Sequence, residues 1–172
     1  MPSISDLVRD VPDFPRPGIM FKDITPLLAD ATAFGECIDA LCAPWRGQGI
    51  GAVCGIESRG FIFGAAMARS LEAGFVPLRK AGKLPPPVVG VDYGLEYGMD
   101  RLEIGIHALS PGEKVIVVDD VLATGGTLDA ARRLVERLGA EVVGASVLIE
   151  LAGLNGRARW AGDAPLHALV GY

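Results

Sequence analysis

The amino-acid sequence predicts an α/β fold in a single domain, built around a mainly parallel β-sheet with helices packed against it. Continuous apolar runs alternate with helix-like segments through most of the chain, which is the pattern of repeated strand–helix–strand units. Because the runs are continuous and do not alternate with polar residues, they indicate strands covered on both faces. The length of 172 residues suits one domain with a sizeable core.

The apolar runs place five strands in order along the chain. They are predicted over residues 50–56, 75–78, 114–118, 141–149 and 166–170. A helix is predicted over residues 61–72, ending near Gly74, and a second follows a glycine-rich turn and stops at Gly139. Two stretches rich in proline and glycine, residues 11–26 and 79–98, fit neither pattern. Long irregular stretches in compact domains are usually functional or mobile.

Composition excludes several classes of function. The net charge of −5 argues against a non-specific nucleic-acid binder, which needs a basic surface. Cys37, Cys42 and Cys54 form no CxxC pair, so free thiols in a reducing cytoplasm are expected. No apolar run approaches the roughly 18 residues that span a bilayer, and residues 1–10 lack the apolar centre of a signal peptide. We therefore expect a cytoplasmic protein without nucleic-acid or membrane partners.

The most specific motif is VIVVDDVLATGGT, residues 115–127. A buried strand ends in the acid pair Asp119 and Asp120, and a short glycine-rich loop then opens a helix. Glycines let backbone amides turn toward one point, and a helix N-terminus behind them favours a phosphate. The hydroxyl groups of Thr124 and Thr127 add donors. The segment therefore predicts a phosphate-binding loop.

The acid pair indicates which phosphate compound binds. No Lys-Ser/Thr pair follows the glycines, so the loop is not a Walker A motif, and it lacks the GxGxxG dinucleotide pattern. Carboxylates beside a phosphate are unfavourable unless they serve another ligand group, and sugar hydroxyls or a nearby Mg²⁺ meet that need. The alternative is an ordinary strand-to-helix turn with an acidic rim. We favour a ribose 5-phosphate.

Three further segments carry charged groups suited to the same ligand. Residues 55–64, GIESRGFIFG, form a second strand-to-helix loop that contains Arg59. Residues 79–85, RKAGKLP, bring three cations into seven residues, and guanidinium and ammonium groups bind pyrophosphate well. Glu96, in LEYG, is a lone carboxylate in the second irregular stretch. Alternatively, the cations form a solvated face and Glu96 is a solvated loop carboxylate.

The run of residues 115–127 resembles the phosphoribosyl pyrophosphate (PRPP) motif of the phosphoribosyltransferase family. The three further segments, together with PDFPRPGIMFKDITPLL at residues 12–28, make four motifs in order that are similar to those of the adenine phosphoribosyltransferases. The resemblance extends from Val11 to about Arg159. The resemblance implies a type I phosphoribosyltransferase fold, a five-stranded mainly parallel core sheet flanked by helices. Residues 1–33 and the C-terminal part would form a small hood over the purine site. It also implies a homodimer, adenine and PRPP as substrates, and Mg²⁺ held through PRPP and water without protein ligands.

The resemblance also implies a role for each site residue. Glu96 would be the catalytic residue, managing a proton on the purine as its loop, residues 84–98, closes and excludes water. Glu57-Ser58 would be a cis peptide, and Arg79 would act from the partner subunit. The PRPP-binding residues would be Ser58, Arg59, Arg79, Lys80, Lys83, Asp119, Asp120, Ala123, Thr124, Gly125, Gly126 and Thr127. The purine-binding residues would be Met20, Phe21, Lys22, Arg59 and Leu154.

Base identity rests on this resemblance, because discrimination of adenine needs only a backbone C=O and N–H pair in residues 20–22. Phe21 could instead be a core aromatic, and Lys22 differs from the arginine that some family members carry. A phosphoribosyltransferase for another purine is the first alternative. A PRPP-sensing regulator without catalysis is the second, but the chain shows no DNA-binding extension or basic face.

Overall fold

The computed structural model describes residues 3–95 and 98–172. These residues form two compact units, Met1–Ala40 and Leu41–Tyr172. No helix in the described part of the chain is long and apolar enough to cross a membrane. Cys37, Cys42 and Cys54 are buried and form no disulfide bond, in agreement with the predicted thiols.

The first unit contains a two-stranded antiparallel ribbon, where the sequence had suggested irregular structure. Strand β1 (Arg9–Pro12) pairs with β2 (Met20–Asp23), and Val11 lies opposite Phe21. The buried carboxylate of Asp23 accepts a hydrogen bond from Arg9 at 2.6 Å and one from the backbone N–H of Thr25 at 2.9 Å. Helix α1 (Thr25–Ala29) begins at that threonine, and α2 (Ala31–Cys42) follows. The hydrogen bonds of Asp23 connect the ribbon to the helix. The proline content of this stretch does not indicate such a connection.

The second unit is built on a seven-stranded sheet in the order β5-β6-β4-β3-β7-β8-β9. Five neighbouring strands run parallel, from β4 to β9 in that order, which confirms the predicted five-stranded parallel core. Helices α3 and α4 pack against this sheet. The elements are β3 (Ala52–Ile56), α3 (Gly60–Leu71), β4 (Gly74–Lys80), β5 (Val88–Leu95), β6 (Gly98–Gly105), β7 (Lys114–Leu122), α4 (Gly126–Arg137), β8 (Glu141–Glu150) and β9 (Leu166–Gly171).

The second stretch expected to be irregular, residues 79–98, contains a strand of eight residues. Residues Val88–Leu95 pair antiparallel with Gly98–Gly105 along their whole length, and β6 in turn pairs with β4. Glycines in β5 lower its intrinsic strand preference, so only pairing with β6 makes the strand evident.

Two element ends also differ from the sequence prediction. Strand β7 continues through the acid pair to Leu122, because pairing with β8 keeps the backbone extended there. Helix α3 ends at Leu71 and is capped by Glu72, whose φ of 56° is left-handed, whereas the predicted cap Gly74 already begins β4.

Candidate active site

The predicted phosphate loop lies between β7 and the N-terminus of α4. Gly125 precedes the helix with a left-handed φ of 86°, a conformation that suits glycine. Within the described residues, no side chain caps this helix end. A cavity of about 70 Å³ adjoins it and is lined by residues that include Asp119, Ala123, Thr124, Gly125 and Thr127. An uncapped helix N-terminus with hydroxyl groups beside a cavity can bind an anion.

A short helical segment, Gly156–Arg159, supports the loop from behind. A Cβ atom on Gly156 would lie 2.2 Å from the carbonyl oxygen of Ala123 and 3.0 Å from the backbone nitrogen of Gly125. In the reverse direction, a Cβ on Gly125 would lie 2.3 Å from the carbonyl oxygen of Gly156. Sequence reasoning missed Gly156, since nothing local signals a contact between residues so distant in the chain.

The acid pair contacts Arg59, which belongs to the neighbouring strand-to-helix loop. Asp120 is buried, and its Oδ2 lies 2.6 Å from Arg59 Nε. Asp119 Oδ1 accepts a hydrogen bond from the Asp120 backbone N–H at 2.8 Å. Burial, together with the negative charge of Asp120, raises the pKa of the Asp119 carboxyl well above its usual value. When both carboxyls are ionised, they carry one more negative charge than the Arg59 guanidinium balances, which disfavours that state.

This excess charge fits hydroxyl donors or a divalent cation nearby. Buried Asp120 Oδ2 has no aligned hydrogen-bond donor in the described structure, despite its closeness to Arg59. Within residues 3–95 and 98–172, no group of three or more His, Cys, Asp or Glu side chains could hold a metal ion unaided. An ion that arrives with an anionic substrate and water suits this arrangement.

The second loop lies beside the acid pair, because β3 and β7 are adjacent parallel strands. Its Glu57–Ser58 peptide is cis, which confirms that prediction. The carbonyl of Ser58 accepts a hydrogen bond from the Phe61 amide at 3.2 Å. A Cβ on Gly60 would lie 3.0 Å from Asp119 Oδ1, so the start of α3 directly abuts the acid pair.

Glu57 organises the predicted cation cluster. Its Oε1 accepts a hydrogen bond from the Lys80 backbone N–H at 2.7 Å and lies 3.3 Å from Arg79 Nε. Arg79 also donates to the carbonyl of Lys83 at 3.4 Å, and the ammonium group of Lys80 pairs with Asp100. Arg79 and Lys80 thus lie at the end of β4, and Lys83 lies in the turn that follows. Sequence analysis did not predict that Glu57 and Asp100 would pair with these cations, because the contacts join residues from separate strands.

The predicted purine residues lie in both compact units. In the first unit, the ring of Phe21 packs edge-on against Phe14 at 5.1 Å between centroids. Lys22 Nζ lies 2.5 Å from Asp10 Oδ1, and Met20 is exposed. In the second unit, Leu154 is exposed at the end of the short helix Ala152–Leu154. Glu96 lies outside the described residues, and its role stays a prediction, as does the assembly of the purine pocket.

Comparison of the whole chain with known proteins identifies its family. The model of the phosphoribosyl transferase domain matches residues 44–163. An adenine phosphoribosyltransferase from Xanthomonas axonopodis pv. citri is 57% identical over 165 residues, covering 96% of this chain and 89% of the relative.

Solved structures agree with that match. The crystal structure of adenine phosphoribosyltransferase from Rhodothermus marinus superposes with a TM-score of 0.95 at 51% identity, covering 98% of this chain and 96% of that one. The Saccharomyces cerevisiae enzyme, complexed with an imino-altritol bisphosphate and adenine, gives a TM-score of 0.89 at 40% identity, with 96% of each chain covered. By sequence and by fold, this chain belongs to the adenine phosphoribosyltransferases of the phosphoribosyltransferase family.

Proposed function

We propose that this protein catalyses the reaction of its family, in which adenine displaces pyrophosphate from PRPP to give AMP in purine salvage. One observation carries the proposal for the site. At the carboxyl ends of three adjacent parallel strands, the chain brings together a phosphate loop after β7, an acid pair within β7, the cis Glu57–Ser58 loop after β3, and cations at the end of β4. Ligands of parallel sheets bind at this edge.

PRPP would be held at both of its phosphorylated ends. Residues 123–127 would bind the 5-phosphate through backbone amides and the hydroxyls of Thr124 and Thr127. This role is supported by the uncapped start of α4 and the cavity beside it. Asp119 and Asp120 would accept hydrogen bonds from the ribose hydroxyls, which would relieve the excess negative charge between them.

The pyrophosphate would bind where the second loop meets the cation cluster. The backbone of Ser58 and the side chains of Arg59, Arg79, Lys80 and Lys83 are the proposed donors. Guanidinium groups suit this task because they present paired donors to phosphate oxygens. Mg²⁺, when bound with PRPP, would neutralise charge on the departing pyrophosphate.

The reaction breaks the bond between C1 of the ribose and a pyrophosphate oxygen and forms a bond from C1 to N9 of adenine. Cations around the pyrophosphate stabilise the charge that develops as it leaves. A proton must also leave the imidazole edge of the base, and Glu96 is the proposed acceptor. Met20, Phe21, Lys22, Arg59 and Leu154 would hold the base over C1.

We also propose a cytoplasmic homodimer. The three buried free cysteines fit a reducing compartment. The dimer, with Arg79 serving the partner's site, follows from the family resemblance. Light scattering after size-exclusion chromatography tests it, and a mass of one 18.0 kDa chain would refute it.

The decisive experiment measures pyrophosphate release with PRPP and Mg²⁺ while adenine, hypoxanthine, guanine and xanthine are supplied separately. We expect release with adenine only. Release with another base would preserve the PRPP site and overturn the proposed purine specificity. PRPP binding without release for any base would favour the regulator.

Glu96→Gln tests the proton acceptor. We expect a large fall in kcat with PRPP binding retained, since the change removes proton transfer, typically a factor of about 10² or more. Glu36→Gln, at an exposed carboxylate on α2, is the matched control. Equal activity of the two variants would remove Glu96 from the mechanism.

A further inference from the structure

Lys80, a proposed pyrophosphate ligand, has a carboxylate partner on a different strand. Its ammonium group pairs with Asp100 Oδ2, at the edge where β6 runs beside β4. Asp100 is held in place by two further donors: the Arg101 backbone N–H at 2.8 Å to Oδ1 and the Tyr93 hydroxyl at 3.4 Å to Oδ2. Tyr93 lies directly opposite Asp100 in the β5–β6 register. The β5–β6 hairpin therefore presents a fixed carboxylate to Lys80.

Both members of the pair carry charge. The hydrogen bond to Asp100 raises the pKa of the Lys80 ammonium. Burial acts to raise the pKa of Asp100, but the hydrogen bond from Lys80 and the neighbouring donors outweigh it, and the pKa lies below its usual value. The Lys80 side chain is 47% exposed and that of Asp100 is 21% exposed, so an anion from solution can reach the ammonium group.

The same carboxylate is connected to the phosphate loop. The ring of Tyr93, whose hydroxyl contacts Asp100, lies beside that loop, because a Cβ on Gly126 would come 3.7 Å from Tyr93 Cδ2. Through these contacts Asp100 is linked both to Lys80, a proposed pyrophosphate ligand, and to the proposed 5-phosphate loop. A substrate with phosphates at both ends meets a negative charge here, and like charges at short range repel.

We propose that Asp100 is a counter-ion that the pyrophosphate group displaces from Lys80, and that this exchange sets the affinity for PRPP. The inference rests on the proposed function, because it requires Lys80 to bind pyrophosphate. Lys80 exchanges one anionic partner for another, so part of its attraction for the substrate is offset by the loss of Asp100. When pyrophosphate leaves, Asp100 is available to take its place, which favours product release.

Asp100→Asn tests this exchange, with Asp92→Asn as the matched control. Asp92 lies on the same hairpin and carries the same charge, but it pairs with Arg101 at 3.2 Å and its side chain is 63% exposed. Titration calorimetry with PRPP and Mg²⁺, and inhibition by pyrophosphate, provide the readouts. Asp100→Asn should lower the Kd for PRPP and the inhibition constant for pyrophosphate by about three- to tenfold, the effect of removing one nearby like charge. Asp92→Asn should stay within about twofold, because exposed charges are screened by salt.

A purely structural role predicts the opposite sign. If Asp100 only holds Lys80 in position, Asp100→Asn weakens PRPP and pyrophosphate binding, and the proposal is overturned. The change should also be measured in a Lys80→Met background, where no exchange can occur, and there the gain should be smaller. An equal increase in affinity in the parent and in the Lys80→Met background would show that Asp100 only repels the substrate through its charge, and would refute the exchange.

The two proposals fail separately in this experiment. If the parent protein does not bind PRPP, the proposed function fails and the role of Asp100 fails with it. If the parent binds PRPP and forms AMP while Asp100→Asn gives no tighter binding, only the role of Asp100 is refuted.

Discussion

Replacing Gly156 with alanine would insert a methyl group between the phosphate loop and the segment that supports it. The new Cβ would lie 2.2 Å from the Ala123 carbonyl oxygen and 3.0 Å from the Gly125 nitrogen. A carbon–oxygen contact needs about 3.3 Å or more, so the two segments must separate by about 1 Å. Both obstacles are backbone atoms, which cannot turn aside as a side chain would. We expect a loss of about 1–3 kcal/mol in the free energy of unfolding, as for other overpacked sites.

Catalysis should be impaired as well as folding, because the displaced loop is the proposed 5-phosphate site. A misplacement of about 1 Å at a site that positions substrate can cost roughly 10²-fold in rate. We therefore expect kcat/KM for PRPP to fall about 10- to 100-fold, measured by AMP formation on protein shown to be folded by circular dichroism.

Gly153→Ala is the control for this substitution. Gly153 lies in the neighbouring short helix, and no atom comes within 4 Å of an added Cβ there. It should leave both stability and kcat/KM close to those of the parent. Equal kinetics for the two variants would refute the reasoning that Gly156 holds the phosphate loop in position.

Three further predictions concern charge, a buried hydrogen bond and the thiols. The raised pKa of Asp119 means that its contribution to stability is present below the unfolded value near 3.8 and is lost as pH rises through the folded value. Asp119→Asn should thus be more stable than the parent at pH 7, by about 1 kcal/mol or more in urea unfolding. The variant should have no advantage in stability at pH 3, and its PRPP binding should be impaired. A lower stability of the variant at pH 7 would contradict this prediction. Ser146→Ala should cost about 1–3 kcal/mol in the same assay, because fully buried Ser146 accepts a 2.7 Å hydrogen bond from the Trp45 indole N–H; an unchanged unfolding midpoint would argue against it. Burial raises the pKa of Cys37 to about 12, and the three thiols should react with Ellman's reagent at pH 8 only after unfolding; rapid reaction of the folded protein would show that they are accessible.

The parallel core and the phosphate loop could be predicted because their signals are local. Continuous apolar runs such as residues 114–118 indicate strands buried on both faces, and a glycine-rich turn between a strand and a helix indicates an anion-binding loop. The cis peptide at Glu57–Ser58 was predicted through resemblance to a family and not from any property of the two residues.

The β5–β6 hairpin could not be predicted in the same way. Glycines and prolines around residues 79–98 suggest a loop, while the pairing that makes Val88–Leu95 a strand involves a partner strand that the pattern does not specify. Strand preference depends on neighbours in the sheet more than on the residues themselves.

The sequence by itself determined the fold class, the glycine-rich loop between β7 and α4, and the set of charged residues available to a substrate. Only the tertiary structure decided how those charges are paired: Asp120 with Arg59, Glu57 with Arg79, and Lys80 with Asp100. Local motifs depend on backbone geometry over a few residues, which a sequence pattern encodes directly. Charge pairing depends on strand order and register, which bring residues from separate strands to one edge of the sheet.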